Sequence, residues 1–275
     1  MINIIKLSDS EFATLVDFVY KGYGINLEKK RVLIEGRMAS TLRDRQLSSY
    51  SEYLDILFSD KTGQEIIHFL NKITTNHTFF MREMEHFRFM KETALPLFEK
   101  NKRRKDLRIW SAGCSSGQEP YTIAMTLEDY FSGKSGMWNI SILGTDISMD
   151  ALEKAKRAEY SEDMLKDVPQ AWKDKYFQDL GNGSYRVSDR IRRNVTFRPL
   201  NLNEDFFFPR PFDIIFCRNV MIYFDNITRE RLIDRFYKVT TDEGFLFVGH
   251  SEVVNRRATD FKYVMPAIYS KSGDQ

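Results

Sequence analysis

A loop that follows an apolar run carries the first residues whose types could do chemistry. In RIWSAGCSSGQEPYTIA, residues 108–124, the run ends at Gly113, and Gly117 precedes a stretch with helical spacing. Glycine lets a backbone turn sharply or approach a ligand, because it has no Cβ. The pair lacks the spacing of the dinucleotide fingerprint, and no Gly-Lys-Ser/Thr follows as in a phosphate loop. Either the loop is an ordinary turn, or it binds a ligand other than a pyrophosphate or nucleoside triphosphate.

Glu119 lies where this loop becomes a helix. Pro120 suits the first turn of a helix, where its missing N–H would have no partner, so the helix should begin near residue 119. A carboxylate there repels a phosphate, but it suits a cationic ligand or one that offers hydroxyl or ammonium donors. The alternative is that Glu119 only complements the positive end of the helix dipole.

Three more polar residues follow apolar runs further along the chain. Asp146 ends the run SILGTD, where a doubly wound fold commonly places a carboxylate against ribose hydroxyls. Asn201 and Asn219 follow the next two runs, and their amides can bind an adenine edge or the charged groups of an amino acid. The alternatives are a helix cap for Asp146 and hydrogen-bonded turn amides for the asparagines. Together with Glu119, these residues favour a nucleoside ligand.

The cysteines and histidines indicate neither a nucleophile nor a metal site. Cys114 and Cys217 have no histidine nearby in the sequence to form a thiolate, so we interpret both as small buried apolar residues. The 4 histidines show no metal-ligand spacing. Because 2 cysteines are too few for a disulfide framework, we expect a reducing, cytoplasmic setting and no metal.

The composition is that of an ordinary globular protein. The 275 residues are 42% hydrophobic and 29% charged, with a formal net charge of +2. This composition disfavours a disordered chain and a protein that coats nucleic acid nonspecifically. The N-terminus does not resemble a signal peptide, and no run of about 18 apolar residues predicts a membrane span. A chain of this length is expected to form two domains.

The predicted secondary structure that positions these residues changes along the chain from helices alone to alternating strands and helices. Residues 8–72 have helical spacing, beginning with a capping box of Ser8 and Glu11, which predicts a small helical bundle. Residues 73–105 are interpreted as a bridge. After residue 106, five apolar runs alternate with helical stretches, which predicts a buried parallel sheet covered by helices. Ligands of such sheets bind beyond the carboxyl ends of the strands.

Six segments, taken together, resemble the CheR family of chemotaxis protein methyltransferases. They occur in the family's order and span nearly the whole chain. The segments are ITTNHTFFMRE (73–83), WSAGCSSGQEPYTIA (110–124), ILGTDIS (142–148), FRPLNL (197–202), FDIIFCRNVMIYFD (212–225) and FLFVGHSE (245–252).

The resemblance implies an α/β fold, a Rossmann-like S-adenosylmethionine methyltransferase domain with a small β-subdomain, preceded by an all-α domain. Residues 1–75 would be the helical receptor-recognition domain, residues 76–105 a linker that contacts the cofactor, and residues 106–275 the methyltransferase domain. A hairpin at about 178–197 would form the β-subdomain. Its Gly-Asn-Gly turn is short compared with that of members that bind a receptor's C-terminal tail, which favours a tail-independent enzyme.

The resemblance also assigns site residues, with S-adenosylmethionine as cofactor, S-adenosylhomocysteine as product and no metal. Arg82 and Tyr223 would be catalytic: they would lie beside the transferred methyl, Arg82 holding the substrate carboxylate and Tyr223 orienting one of its oxygens. The alternative for Tyr223 is that it only covers the pocket. The expected cofactor-binding residues are Asn76, Thr78, Arg82, Gly113, Glu119, Asp146, Asn201, Leu202, Arg218 and Asn219.

The implied substrates are glutamate side chains on the cytoplasmic helices of chemoreceptors. A glutamate is already ionised at neutral pH, so its methylation needs no general base. Receptor methylation segments are acidic, and Lys30 and Arg37 are seven residues apart on one face of the basic helix expected over Leu27–Leu47. We expect these two residues to dock the receptor, the alternative being an ordinary solvated face.

The enzyme is expected to be a cytoplasmic monomer that is recruited to receptor arrays without membrane insertion or nucleic acid. One alternative is a nucleic-acid methyltransferase, but the loop RNVMIYF lacks the Asn/Asp-Pro-Pro-aromatic sequence that binds a flipped base. Another is a non-catalytic scaffold of the receptor array, which the presence of Arg82 and Tyr223 disfavours.

Overall fold

The computed structural model describes residues 5–74, 78–101, 105–134 and 138–272. Asn76 and the expected domain boundary after residue 75 lie outside the described residues. The chain divides into two compact units. The first comprises Met1–His77 with Tyr223–Thr228, and the second comprises Thr78–Ile222 with Arg229–Gln275.

The first unit is helical, as its sequence predicts. The capping box at its start is confirmed, because Ser8 Oγ accepts from the N–H of Glu11 and the Glu11 carboxylate accepts from the N–H of Ser8. Gly24, with φ +69°, ends the first helix in the left-handed conformation. The helices of the first unit are α1 (Asp9–Tyr23), α2 (Arg31–Asp44), α3 (Tyr50–Ser59) and α4 (Gln64–Ile73).

The second helix begins later than expected. Asn26 Oδ1 accepts from the N–H of Glu28 at 3.0 Å, and the N–H of Lys30 donates to the carbonyl of Leu27 at 2.9 Å. These turns delay the helix until Arg31, and Lys30 is its non-helical N-cap. The helix expected over Leu27–Leu47 is therefore shorter than predicted, and Lys30 lies just outside it, whereas the docking role of Lys30 and Arg37 stays a prediction.

The second unit contains the strands. Its first helical stretch is α5 (Met84–Phe89), a π-helical turn (Met90–Ala94) and α6 (Leu95–Asn101). The later helices of the chain are α7 (Gln118–Tyr130), α8 (Met149–Arg157), α9 (Gln170–Tyr176), α10 (Asp189–Arg192) and α11 (Asn226–Lys238). The strands are β1 (Asp106–Ala112), β2 (Asn139–Asp146), β3 (Glu159–Ser161), β4 (Phe177–Gly181), β5 (Ser184–Val187), β6 (Val195–Pro199), β7 (Phe212–Cys217), β8 (Thr240–Val248), β9 (Lys262–Met265) and β10 (Ile268–Ser270).

The main sheet has the strand order β6-β2-β1-β7-β8-β10-β9. The strands β6, β2, β1, β7 and β8 are parallel to one another. The strand β10 pairs antiparallel with both of its neighbours, β8 and β9. The predicted doubly wound sheet is thus confirmed. The order changes direction beside β1, which is where such sheets bind ligands. We call the carboxyl ends of β1, β2, β6 and β7 the carboxyl rim.

A second, three-stranded sheet has the order β3-β5-β4. Asn182 and Gly183, with φ of 54° and 70°, connect β4 to β5 in a two-residue turn that suits a tight hairpin. The hairpin expected at about 178–197 covers these strands, but its last residues lie in β6 of the main sheet. Among the described residues, no helix combines the length and apolar character that a membrane crossing requires.

Candidate functional site

The loop between β1 and α7 depends on both of its glycines. Gly113 and Gly117 have φ of 83° and 95°, in the left-handed region. A Cβ on Gly113 would lie 2.3 Å from Cγ2 of Val220, and one on Gly117 would lie 2.8 Å from the Cβ of Ala155. The N–H of Gly113 donates to the carbonyl of Thr145 at 2.8 Å, which ties the loop to the end of β2. The loop is therefore part of the carboxyl rim.

Asp146 ends β2, and its carboxylate bonds to this loop. Its Oδ2 accepts from the N–H of Ser115 at 2.8 Å, and its Oδ1 accepts from the N–H of Ser148 at 2.9 Å. Burial raises the pKa of Asp146, although these backbone hydrogen bonds oppose the rise. Each carboxylate oxygen can accept a further hydrogen bond, so the expected contact with ribose hydroxyls is compatible with the observed ones.

Arg218 follows β7 and joins two other parts of the unit. Its side chain is 2% exposed, with Nε 3.1 Å from Oε2 of Glu83 and Nη1 3.2 Å from Oε2 of Glu119. Its Nη2 donates to the carbonyl of Arg82. The guanidinium thus connects the segment of Arg82 and Glu83 to the start of α7. Contact of Arg218 with the cofactor stays a prediction.

Glu119 has an internal cation partner in Arg218. Its Oε1 accepts from Oγ of Ser111 in β1 at 2.7 Å. Burial raises the pKa of the Glu119 carboxyl, and Arg218 opposes that rise. Because α7 begins at Gln118, Glu119 lies in the first turn, so the helix-dipole role is present too. The expected interaction with a cationic ligand stays a prediction.

The segment that precedes α5 holds Arg82 in an unusual backbone. Met81 and Glu83, on either side of it, have φ of 63° and 54°. Left-handed conformations of non-glycine residues cost energy and concentrate at functional sites. Phe80 is fully buried and anchors the segment. The half-buried Arg82 extends from it, with its guanidinium 5.5 Å from the ring centroid of Phe79.

The two asparagines of the carboxyl rim differ in the hydrogen bonds of their side-chain amides. Asn219, after β7, has φ of 60°, and its Oδ1 is buried with no hydrogen-bond partner among the described residues. Asn201, after β6, is a turn amide: its Oδ1 accepts from the N–H of Asn203 and its Nδ2 donates to Glu204. Leu202 is buried beside it. Asn219 therefore offers an acceptor to a ligand more clearly than Asn201 does.

Other predicted site residues belong to the start of the second unit or to the first unit. Thr78 is half-buried. Tyr223 ends a short 3₁₀ turn, and its carbonyl accepts from the N–H of Asn26 at 2.9 Å within the first unit. Arg37 is half-buried, and its Nη1 donates to the last carbonyls of α4, those of residues 72–74. Lys30 is exposed.

Two histidines lie closer together than their spacing in the sequence indicates. Ligand atoms of Glu83, His86 and His250 are within 4.8 Å of one another. Burial lowers the pKa of His86 to about 3, so it is neutral at physiological pH. The Glu83 carboxylate already has a cation partner in Arg218, whose Nε lies 3.1 Å from Oε2 of Glu83.

The interpretation of the cysteines is confirmed. Cys114 and Cys217 are free and fully buried, and burial raises the pKa of both thiols. Sequence reasoning missed Glu83 and Ser111, which bond to predicted site residues. Glu83 lies next to Arg82 in the sequence, but no local pattern connects it with residue 218.

Two family models match the chain in succession. Residues 10–74 match the CheR methyltransferase all-alpha domain, and residues 76–269 match the CheR methyltransferase SAM binding domain. The chain belongs to the CheR family. Several proteins are similar over almost the full length: a chemotaxis protein methyltransferase of Borreliella burgdorferi is 41% identical over 98% of this chain and 96% of its own. Those of Escherichia coli and Salmonella typhimurium are 36% and 35% identical, each over 98% of this chain and 93% of their own length.

The rim of this CheR-family chain fits S-adenosylmethionine. The unpartnered, buried Oδ1 of Asn219 can accept from an amino group, and the carboxylate of Asp146 retains capacity for hydroxyl donors. The carboxylates of Asp146 and Glu119 disfavour a phosphate, which S-adenosylmethionine lacks.

Proposed function

We propose that this protein transfers the methyl group of S-adenosylmethionine to glutamate side chains on the cytoplasmic helices of chemoreceptors. The observation that carries the proposal is the carboxyl rim, where Asp146, the glycine loop and Asn219 lie within the region that matches a SAM binding domain. The relatives that are similar over nearly the full chain are named chemotaxis protein methyltransferases, which supports the same class of substrate.

S-adenosylmethionine has no phosphate group, so residues of this chain would bind it through hydrogen bonds. Asp146 would accept from the ribose hydroxyls, and Asn219 from an amino group. When bound, S-adenosylmethionine supplies an electrophilic methyl group on a sulfonium. The further residues that we propose for the cofactor site are Asn76, Thr78, Arg82, Gly113, Glu119, Asn201, Leu202 and Arg218.

Methyl transfer to a glutamate carboxylate requires few catalytic groups from the protein. A substrate glutamate has a pKa of about 4.3, so it is already a nucleophilic carboxylate at neutral pH. The protein must align this carboxylate and remove water from around it, since alignment and desolvation lower the barrier. We propose that Arg82 binds the carboxylate and that Tyr223 orients one of its oxygens.

The proposal is tested with labelled S-adenosylmethionine and receptor-containing membranes. A glutamyl methyl ester releases methanol in mild base, whereas N-methylated protein or nucleic acid does not. We expect base-labile label in the receptor band, and a loss of at least about 100-fold in rate for Arg82→Ala. Arg88→Ala, which changes an exposed arginine in α5, is the matched control and should keep the rate. Label that survives base, or no label, would contradict the proposal.

Receptor docking is proposed for Lys30, which is exposed together with Lys29. The other basic residues of this region are engaged: Arg31 pairs with Asp9 at 2.7 Å, and Arg45 pairs with Glu65 at 2.8 Å. Arg37 remains part of the proposal, but its guanidinium already bonds to carbonyls of α4. Charge reversal at Lys30 should raise the KM for receptor and leave that for S-adenosylmethionine unchanged. An unchanged receptor KM would refute the docking role.

We further propose that the enzyme acts without binding a receptor's C-terminal tail. The support is the two-residue turn of the β4–β5 hairpin, formed by Asn182 and Gly183, which offers little surface to a peptide. Receptors with and without their C-terminal tail should be methylated with the same kcat/KM. A marked loss on removal of the tail would contradict this.

A further inference from the structure

A buried carboxylate outside the residues assigned so far binds the backbone of the rim. Glu252, in the loop after β8, is 7% exposed. Its Oε2 accepts from the N–H of Gly249 at 2.6 Å and from the N–H of Asn219 at 2.8 Å. The N–H of Glu252 also donates to the carbonyl of Gly249 at 2.9 Å. One oxygen thus ties the turn after β8 to Asn219, two residues beyond the end of β7.

The second oxygen of this carboxylate, Oε1, is buried with no hydrogen-bond partner among the described residues. Burial raises the pKa of the Glu252 carboxyl, and the backbone N–H groups of Gly249, Asn219, Met221 and Ile222 oppose that rise. A buried carboxylate is costly unless hydrogen bonds compensate it, and bonds to an ionised acceptor are the stronger kind. The hydrogen bonds of Glu252 therefore hold the backbone N–H groups of Gly249 and Asn219.

Asn219 needs such support because its backbone is strained. Its φ of 60° lies in the left-handed region, which a non-glycine residue adopts at a cost of roughly 1–3 kcal/mol. The bond from its N–H to Glu252 acts on this residue directly. Without the carboxylate, the N–H of Asn219 would lose this hydrogen bond, and the left-handed conformation would lose a restraint.

Gly249 provides the space for this arrangement. A Cβ at this position would lie 2.7 Å from Nδ2 of Asn219, 2.9 Å from its backbone N and 2.8 Å from Oε2 of Glu252. These separations are below van der Waals contact, so only glycine permits the three groups to come together. Any side chain here would displace Asn219, Glu252 or both.

We propose that Glu252 is a positioning residue of the cofactor site: its carboxylate holds Asn219 in the left-handed conformation from which the Asn219 amide binds the cofactor. The inference rests on the proposed function, in which Asn219 contacts S-adenosylmethionine. Glu252 itself acts through the backbone and does not contact the ligand.

The test is the affinity of the full-length protein for S-adenosylhomocysteine, measured by calorimetry. Glu252→Gln keeps the shape but replaces the charged acceptor of the two backbone bonds with a neutral amide oxygen, which binds those donors less strongly, so we expect Kd to rise at least about tenfold. Glu230→Gln is the matched control: its carboxylate bonds to the side chain of Asn255 at 2.7 Å, and Kd should stay within about twofold. Circular dichroism at the assay temperature verifies that each variant is folded.

Two further measurements separate positioning from a general effect on folding. Gly249→Ala should weaken binding in the same way, and it carries the test if Glu252→Gln does not fold. In an Asn219→Ala background, Glu252→Gln should cause no additional loss of affinity, because its effect passes through Asn219. A merely structural role would lower the melting temperature and leave Kd unchanged.

The outcomes distinguish the inference from the proposed function. If the wild type does not bind S-adenosylhomocysteine, the proposed function fails. If the wild type binds it and the folded Glu252→Gln and Gly249→Ala variants bind it within about twofold of the wild type, the role of Glu252 is refuted. Additive losses in the Asn219→Ala background would refute it as well.

Discussion

Replacing Arg218 with methionine should destabilise the second unit strongly, and more at high pH than at low pH. The guanidinium is the partner of Glu83 and Glu119, whose side chains are only 13% and 15% exposed. Removing one partner of a buried ion pair costs roughly 3–5 kcal/mol, because the other charge remains buried. Since both carboxylates keep slight contact with water, we expect a loss of about 3 kcal/mol at pH 8.

The pH dependence follows from Glu119. Burial already raises the pKa of its carboxyl, and Arg218 opposes that rise, so the pKa should be higher still in Arg218→Met. An acid whose pKa is raised in the folded state favours folding below its unfolded pKa, and this contribution is lost as the pH rises through the folded pKa. The deficit of the variant should therefore shrink between pH 8 and pH 5.

Urea unfolding followed by tryptophan fluorescence measures this loss, because Trp110, Trp138 and Trp172 all lie in the second unit. The control is Arg198→Met, an exposed position in β6, which should change the unfolding free energy by less than about 0.5 kcal/mol. A deficit below about 1 kcal/mol at pH 8, or one that is equal at pH 5, would show that Arg218 does not stabilise the buried carboxylates of Glu83 and Glu119.

A second substitution tests the ion pair itself. Adding Glu119→Gln to Arg218→Met removes one of the buried charges that lost its partner. We expect the double variant to recover about 1–2 kcal/mol relative to additivity, as contacting residues do. Strictly additive effects of the two substitutions would show that the two side chains do not interact.

Three further predictions concern other parts of the chain. Arg37→Ala should speed amide hydrogen exchange at the end of α4, because the last carbonyls of that helix lose their donor. The lost hydrogen bonds should lower the stability of this helix end by about 1–3 kcal/mol, whereas Lys30→Ala should leave the exchange unchanged. Gly113→Ala should lower the melting temperature by several degrees, since φ is 83° and Val220 occupies the space that a Cβ needs. A thiol reagent should modify neither Cys114 nor Cys217 in the native protein and both after unfolding; reaction before unfolding would contradict their burial.

Much of the fold could be predicted from local patterns. The strands β1, β2 and β7 are apolar runs linked to helices, and such runs form a buried parallel sheet. Because parallel strands end at one edge, the positions of Asp146 and Asn219 on the carboxyl rim follow from the same pattern. The capping box at Ser8 is equally local, since its two partners are three residues apart.

The interactions that sequence reasoning missed are long-range or depend on turns. Glu83 and Arg218 are 135 positions apart, and nothing in the sequence near either residue specifies the other as its partner. Arg37 belongs to a basic stretch whose composition indicates a solvated face, but its bonds to the end of α4 appear only after α2 and α4 pack. The turn at Asn26 delays the start of α2, so Lys30 lies before the helix, and helical spacing alone does not reveal such a turn.

We propose that this protein methylates glutamate carboxylates of chemoreceptors. The direct measurement is mass spectrometry of a receptor cytoplasmic fragment after incubation with the full-length protein and S-adenosylmethionine. We expect peptides heavier by one methylene group, with the added mass on glutamate and lost after mild base. Base-stable methylation on another residue type, or an unmodified receptor despite binding of S-adenosylhomocysteine, would contradict it.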